Sequence, residues 1–261
     1  MMNRHFSFDR LALLLRADLM SRFRSLLIVS STLAVLMLLH GFWVASFFDP
    51  QRNIFDPWFI GLLLIWGPIM ASYSFRELHD KAANEAYLLL PASALEKTVA
   101  RLLLATLLFG AYVVVLLTAV SWLNAAICFL FVGVSVPTFS VADSASASLF
   151  ANVLVGQSMF FLGAAWFRKS HLIRTSLALT LGLLAFLIVG VLMVRIVYYD
   201  VFSGSFGEVM SIDQAEYIRA NSDLFAFLSR AVPILYFFVL PPFCWYVAWL
   251  RVKETQVSYG I

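Results

Sequence analysis

Residues 175–194 read TSLALTLGLLAFLIVGVLMV, twenty consecutive positions without an Asp, Glu, Lys or Arg. A hydrocarbon core about 30 Å thick needs about 20 apolar residues in a helix, so this stretch is long enough to cross a bilayer alone. Five more stretches qualify on either side of it, at 25–48, 58–75, 102–134, 149–167 and 231–250, and none of them holds an Asp, Glu, Lys or Arg either. The whole chain follows suit. Of its 261 residues, 62% are hydrophobic, 16% aromatic and 13% charged, with a mean hydropathy of +0.90. Soluble domains are about 45–50% apolar and about 25% charged. This composition excludes a soluble domain, a disordered chain and a small disulfide scaffold. The predicted fold class is an all-α integral membrane protein with six transmembrane helices. Cys128 and Cys244 both lie inside apolar runs and read as packing residues rather than a staple.

The stretch 102–134 is long for one crossing: at about 1.5 Å per residue it would reach about 50 Å. Two paths fit it, a long tilted helix or a span to about Trp122 followed by an interfacial or re-entrant segment ending near Pro137. Charge fixes the parity. Of the 18 Lys and Arg, fourteen fall before the first stretch, in the segments 76–101 and 168–174, and after Leu250. The other four, Arg52, Arg195, Arg219 and Arg230, fall in the alternate segments. By the positive-inside rule both termini are cytoplasmic and the chain crosses six times. An odd crossing inside 102–148 would put Arg168 and Lys169 outside. The net charge of +3 therefore reflects membrane orientation, and no nucleic-acid partner is expected.

The predicted organisation is an N-terminal segment 1–24, a membrane domain 25–250 and a tail 251–261. In the first segment Phe8, Leu11, Ala12, Leu15, Leu19 and Phe23 fall on one helical stripe, with Arg22 on its edge. That pattern predicts an amphipathic helix lying in the interface; a plain basic flank of the first span fits it too. The segment is rich in Arg and no small-residue cleavage site follows a short apolar core, so it is not read as a cleavable signal.

Chemistry-bearing motifs are scarce. The sequence holds no G-x-x-x-x-G-K-S/T run to cradle nucleotide phosphates, no H-E-x-x-H and no C-x-x-C. His5, His40, His79 and His171 are scattered over different segments, which argues against a metal site. Gly156-Gln157-Ser158 lacks the second glycine of a nucleophile elbow. Of these histidines only His40 lies well inside a span, where a hydrogen-bonded or headgroup-facing role is expected over a proton relay. No catalytic, cofactor-binding or metal residue is predicted, and energy for uphill transport is expected from another subunit.

The most structured polar segment is 76–98. Pro91 ends any helix before it and biases Leu90 away from helical geometry. Ser93 and Glu96 form the S-x-x-E pattern of a capping box that restarts a helix into the third span. Residues 77–89 predict a short helix charged at Glu77, Asp80, Lys81 and Glu85, ending in the apolar patch Leu88, Leu89 and Leu90. A handle for a partner protein and an interfacial linker dipping into lipid both fit these residues.

The run Leu88-Leu-Leu-Pro-Ala-Ser-x-x-Glu-Lys97, followed by Arg101, resembles the loop joining spans two and three in bacterial type-two ABC exporter permeases. Phe6-Ser-Phe-Asp-Arg-Leu11, Trp166-Phe-Arg-Lys169 and Arg251-Val-Lys-Glu-Thr255 are similar to that family as well. The resemblance implies a permease subunit in a bacterial cytoplasmic (inner) membrane, paired with a second copy or a related permease. It implies ATPase subunits that carry ATP and Mg, with no cofactor on this chain. It also implies an amphipathic N-terminal helix on the membrane, and short re-entrant helices in the extracytoplasmic segment 195–230. The loop after the second span is then a coupling helix, with Glu77, Asp80, Lys81, Glu85, Leu88, Leu89 and Leu90 as the expected ATPase contact. A secondary transporter or channel working without an ATPase, and a membrane scaffold, are the other classes the spans admit. Residues 211–228 read as a short helix ahead of Pro233, with Ser211-Ile212-Asp213 as its cap.

Overall fold

The computed structural model describes residues 6–79, 92–141, 144–197 and 222–258. Among these residues all regular structure is helical. Six helices are long and apolar enough to cross a membrane: Phe23–Phe47, Phe55–Leu78, Ala94–Phe131, Ser148–Trp166, His171–Met193 and Ser229–Thr255. They are numbered here as spans one to six. Each coincides with one of the six apolar stretches, and the chain is a helical, multi-pass membrane protein.

Two helices run further than their hydrophobic stretches. The first is continuous from Phe8 to Phe47, forty residues and so about 60 Å long. No Gly or Pro lies between Phe8 and His40, so nothing in the backbone ends it. The boundary expected near residue 24, between an interfacial helix and the first span, is not a break. The third span likewise takes the long-helix path of the two the sequence left open. It starts at Ala94 and ends at Phe131, where Gly133 adopts a φ of +75° that a side chain would resist.

Three spans contain one π-helical turn each, at Leu62–Trp66, Leu104–Leu108 and Leu235–Val239. Prolines account for two of them. Pro68 follows the first, and Pro241 and Pro242 follow the third. A proline supplies no N–H to the carbonyl four residues back, and a local change of register re-satisfies the freed group. The short helix expected over 211–228, ahead of Pro233, is not separate from span six where it is described. The helix Ser222–Ile234 runs through Pro233 and continues beyond the π-turn as Leu240–Ser258. The expected cap at Ser211 lies outside the described residues, as does most of 195–230.

Two apolar clusters hold the spans together. One joins spans one, two and three through Met37, Phe55, Leu63, Val113 and Leu117. The other, nearer the basic end, joins spans two, three, four and six through Ala71, Phe75, Phe161, Ala164 and Ala248. Small residues let the helices approach closely, as they do in membranes, where apolar area gives little preference for protein over lipid. Gly163 is the tightest case: a Cβ there would sit 2.0 Å from Thr175 Oγ1. Span five therefore starts hard against span four. Cys128 and Cys244 are buried and free of any disulfide, as packing residues should be. His40 Nδ1 accepts a hydrogen bond from Trp58 Nε1 at 3.1 Å.

Candidate functional site

Charged side chains gather where span three begins. The capping box forms as the S-x-x-E pattern predicts: Glu96 N–H donates to Ser93 Oγ at 3.2 Å, and Ser93 N–H donates to Glu96 Oε2 at 2.7 Å. Glu96 does more than cap. Its Oε1 accepts from the backbone N–H of Ser7 at 2.7 Å and lies 3.2 Å from Arg10 Nη2. The carboxylate is 0% exposed, so its acceptor capacity is spent on tying the first helix to the third span. Buried carboxylates persist only with such partners.

One turn and a half further on, Arg101 makes a second tie. Its Nη2 lies 2.5 Å from Glu77 Oε2 and 3.3 Å from Asp18 Oδ1, with the residue only 5% exposed. Glu77 sits in the short helix Arg76–His79 at the end of span two. Arg101 thereby joins the exit of span two, the entry of span three and the first helix. Arginine suits this task because its planar guanidinium presents several donors at fixed angles.

Of the expected coupling residues, Glu77 is the one described. The structure brings it to Arg101 and leaves its side chain 42% exposed. Asp80, Lys81, Glu85, Leu88, Leu89 and Leu90 lie outside the described residues. The sequence reading uses Glu96 as a cap, Lys97 and Arg101 as orientation signals and all three as part of the family-like run, but it gives none of them a partner and passes over Asp18. A signal was available: Glu96, Lys97 and Arg101 sit within six positions immediately ahead of an apolar run, where unpaired charge is costly.

Beside this cluster lies an apolar cleft of about 310 Å³ between spans one, two and three. Leu26, Val29, Trp66, Leu108 and Tyr112 line it, and Asp18 and Arg101 close its basic end. Tyr112 is held there by a 2.7 Å hydrogen bond to Ser30. Two of the π-turns supply part of the wall, which fits the tendency of such turns to mark functional positions. The arrangement is a largely apolar recess with charged side chains at one end. Among the described residues no group of three or more His, Cys, Asp or Glu is placed to hold a metal ion. No protein-family model, curated protein or solved structure matches this chain.

Proposed function

We propose that this chain is the membrane-spanning permease subunit of an ATP-binding-cassette exporter in a bacterial cytoplasmic (inner) membrane. In this reading it pairs with a second copy or a related permease, and separate ATPase subunits carrying ATP and Mg dock on residues 77–90. The observation that carries the proposal is the Glu77–Arg101–Asp18 contact. A partner moves spans only through a segment it grips differently in its nucleotide states, and that segment must be stiffly rooted to pass the movement on. Glu77 and Arg101 bracket the loop in sequence and meet in space. A pull on the loop therefore reaches spans two and three together, and the first helix through Asp18. Glu85 supplies a charge for a basic partner residue, and Leu88 or Leu89 an apolar anchor.

The test is co-purification with the ATPase, together with nucleotide-stimulated transport. Glu85→Arg combined with Leu88→Asp is expected to weaken association and abolish transport while the protein still inserts. Charge reversals at Asp143 and Glu208 are expected to leave association intact. Full association and transport in the loop variant would favour the interfacial-linker reading. The purified chain alone is expected neither to bind nor to hydrolyse ATP.

Orientation is tested separately, in a background lacking Cys128 and Cys244. Cysteines at positions 143 and 213 are expected to react with an impermeant thiol reagent in intact cells. Those at positions 80 and 170 should react only after lysis. External labelling at position 170 would overturn the six-crossing orientation.

A further inference from the structure

A second cleft, of about 530 Å³, opens at the basic end between the exit of span two and the turn joining spans four and five. Arg76, Arg168 and His171 line it with the hydroxyl residues Ser72, Tyr73 and Ser170, and no acidic residue among those described does so. Neither Arg76 nor Arg168 has a carboxylate partner among the described residues, whereas Arg10, Arg101 and Arg251 each have one. Arg76 and Arg174 both place positive potential at His171.

Ser72 marks the floor. It is 1% exposed, and its hydroxyl has no hydrogen-bond partner among the described residues. Other hydroxyls in the spans donate to a carbonyl of their own helix, as Ser74 does to Met70 and Ser158 to Val155. A buried hydroxyl that forgoes such a bond is costly unless a ligand completes it. The first turn of the helix His171–Val197 also meets the cleft, through His171, Leu172 and Ile173. Its leading backbone N–H groups have no carbonyl within the helix to pair with, and they favour an anion.

The surroundings say what carries the anion. Trp166, 55% exposed beneath the Arg251 guanidinium, sits at the same turn and marks the headgroup level. Below the cleft the surface of span five is apolar and open: Ile173, Leu177, Leu181 and Leu184 are all exposed. Cationic and hydroxyl donors above an apolar track match an amphiphile, with phosphate at the top and acyl chains along the helix. We propose that the cleft formed by Ser72, Arg76, Arg168 and the start of span five binds the phosphate group of an anionic phospholipid. The acyl chains of that lipid then lie on span five. The site does not depend on whether an ATPase drives the chain.

Native mass spectrometry of the full chain in detergent tests this with two probes, dioleoylphosphatidylglycerol and dioleoylphosphatidylcholine. Tighter binding of the phosphatidylglycerol is expected. Arg76→Gln and Arg168→Gln should each weaken it about fivefold, and about 25-fold together. Ser72→Ala should weaken it about threefold. Lys169→Gln removes a cation from the same turn but not from the cleft, and should leave affinity unchanged. Thermal unfolding of each variant in detergent alone checks folding; Arg76 and Arg168 are exposed, so wild-type stability is expected. Equal binding of the two lipids would overturn the proposal, as would a loss in Lys169→Gln as large as in the arginine variants. Inorganic phosphate at 10 mM (about 10⁴-fold above a micromolar lipid Kd) is the last arm. Complete displacement of the lipid by phosphate would mean a free-anion site and overturn the lipid assignment; retention of the lipid supports it.

Discussion

Spans four and five are neighbours of similar length, yet they meet opposite fates. The fourth has the lower mean hydropathy, 1.4 against 2.5 over the most apolar stretch of each, but 44% of that stretch is buried in the protein against 0% for the fifth. In water the greasier helix would go inside. In a bilayer lipid tails welcome Leu, Val and Phe as readily as a protein core does, so apolar area gives no reason to leave lipid. Interior positions are instead taken by residues that pack closely or hydrogen-bond. Span four offers Gln157, Ser158, Gly163, Ala164 and Ala165 on its buried positions. Span five, from Leu177 to Met193, presents almost unbroken aliphatic and aromatic surface.

The contrast extends to the start of span three, the most polar part of the interior, and there it can be broken with the largest effect. Glu96→Ala removes a buried acceptor from two backbone N–H groups and from Arg10. The expected loss is about 2–4 kcal/mol of unfolding free energy in detergent. Leu183→Ala in span five should cost under about 0.5 kcal/mol, because the side chain already faces outward. A comparable cost at Leu183 would mean that another protein surface covers span five, and the contrast would then describe an isolated chain only.

Glycine sharpens the same comparison at intermediate size. Gly163→Ala places a methyl against Thr175, whose Oγ1 is already committed to the His171 carbonyl at 2.7 Å. The expected cost is about 1–3 kcal/mol, read as a lower unfolding midpoint. Gly182→Ala adds the same methyl where nothing lies within 4 Å. There the helix gains about 0.5–1 kcal/mol from lost chain freedom. Equal effects at the two glycines would deny that close approach of spans four and five matters.

A smaller loss than at Glu96 or Gly163 is expected at the cap. Ser93→Ala removes the hydroxyl that accepts from Glu96 N–H, for about 1 kcal/mol. Its effect should couple to that of Glu96→Ala, since both belong to one reciprocal pair, and a double-mutant cycle measures the coupling. Strict additivity would mean that Glu96 matters through Ser7 and Arg10 alone.

Local patterns in the chain were enough for the helical class, the number of apolar helices of bilayer length, their positions to within several residues and the capping box at Ser93. Each follows from a local rule: an apolar run of bilayer length, or a side chain bonded to its own backbone three residues away. His40 is legible in the sequence as the one histidine well inside a span, with a hydrogen-bonded or headgroup-facing role; which of the two, and the Trp58 partner, it leaves open. The sequence did not show that the segment before residue 24 continues the first span without a break, because amphipathicity reports a surface and not an angle. Nor did it show that one helix would run through Pro233, since a proline is compatible with a bent helix as well as with a helix end. Helix packing, by contrast, is what brings Asp18, Glu77 and Arg101 together, sets Glu96 on Ser7 and Arg10, and places Ser72 at a cleft lined by Arg76 and Arg168. Those contacts join residues up to 89 positions apart, Ser7 to Glu96 being the longest. Hydropathy cannot encode them, because it sums over neighbours in the chain, whereas charge pairing depends on which helices the packing brings side by side.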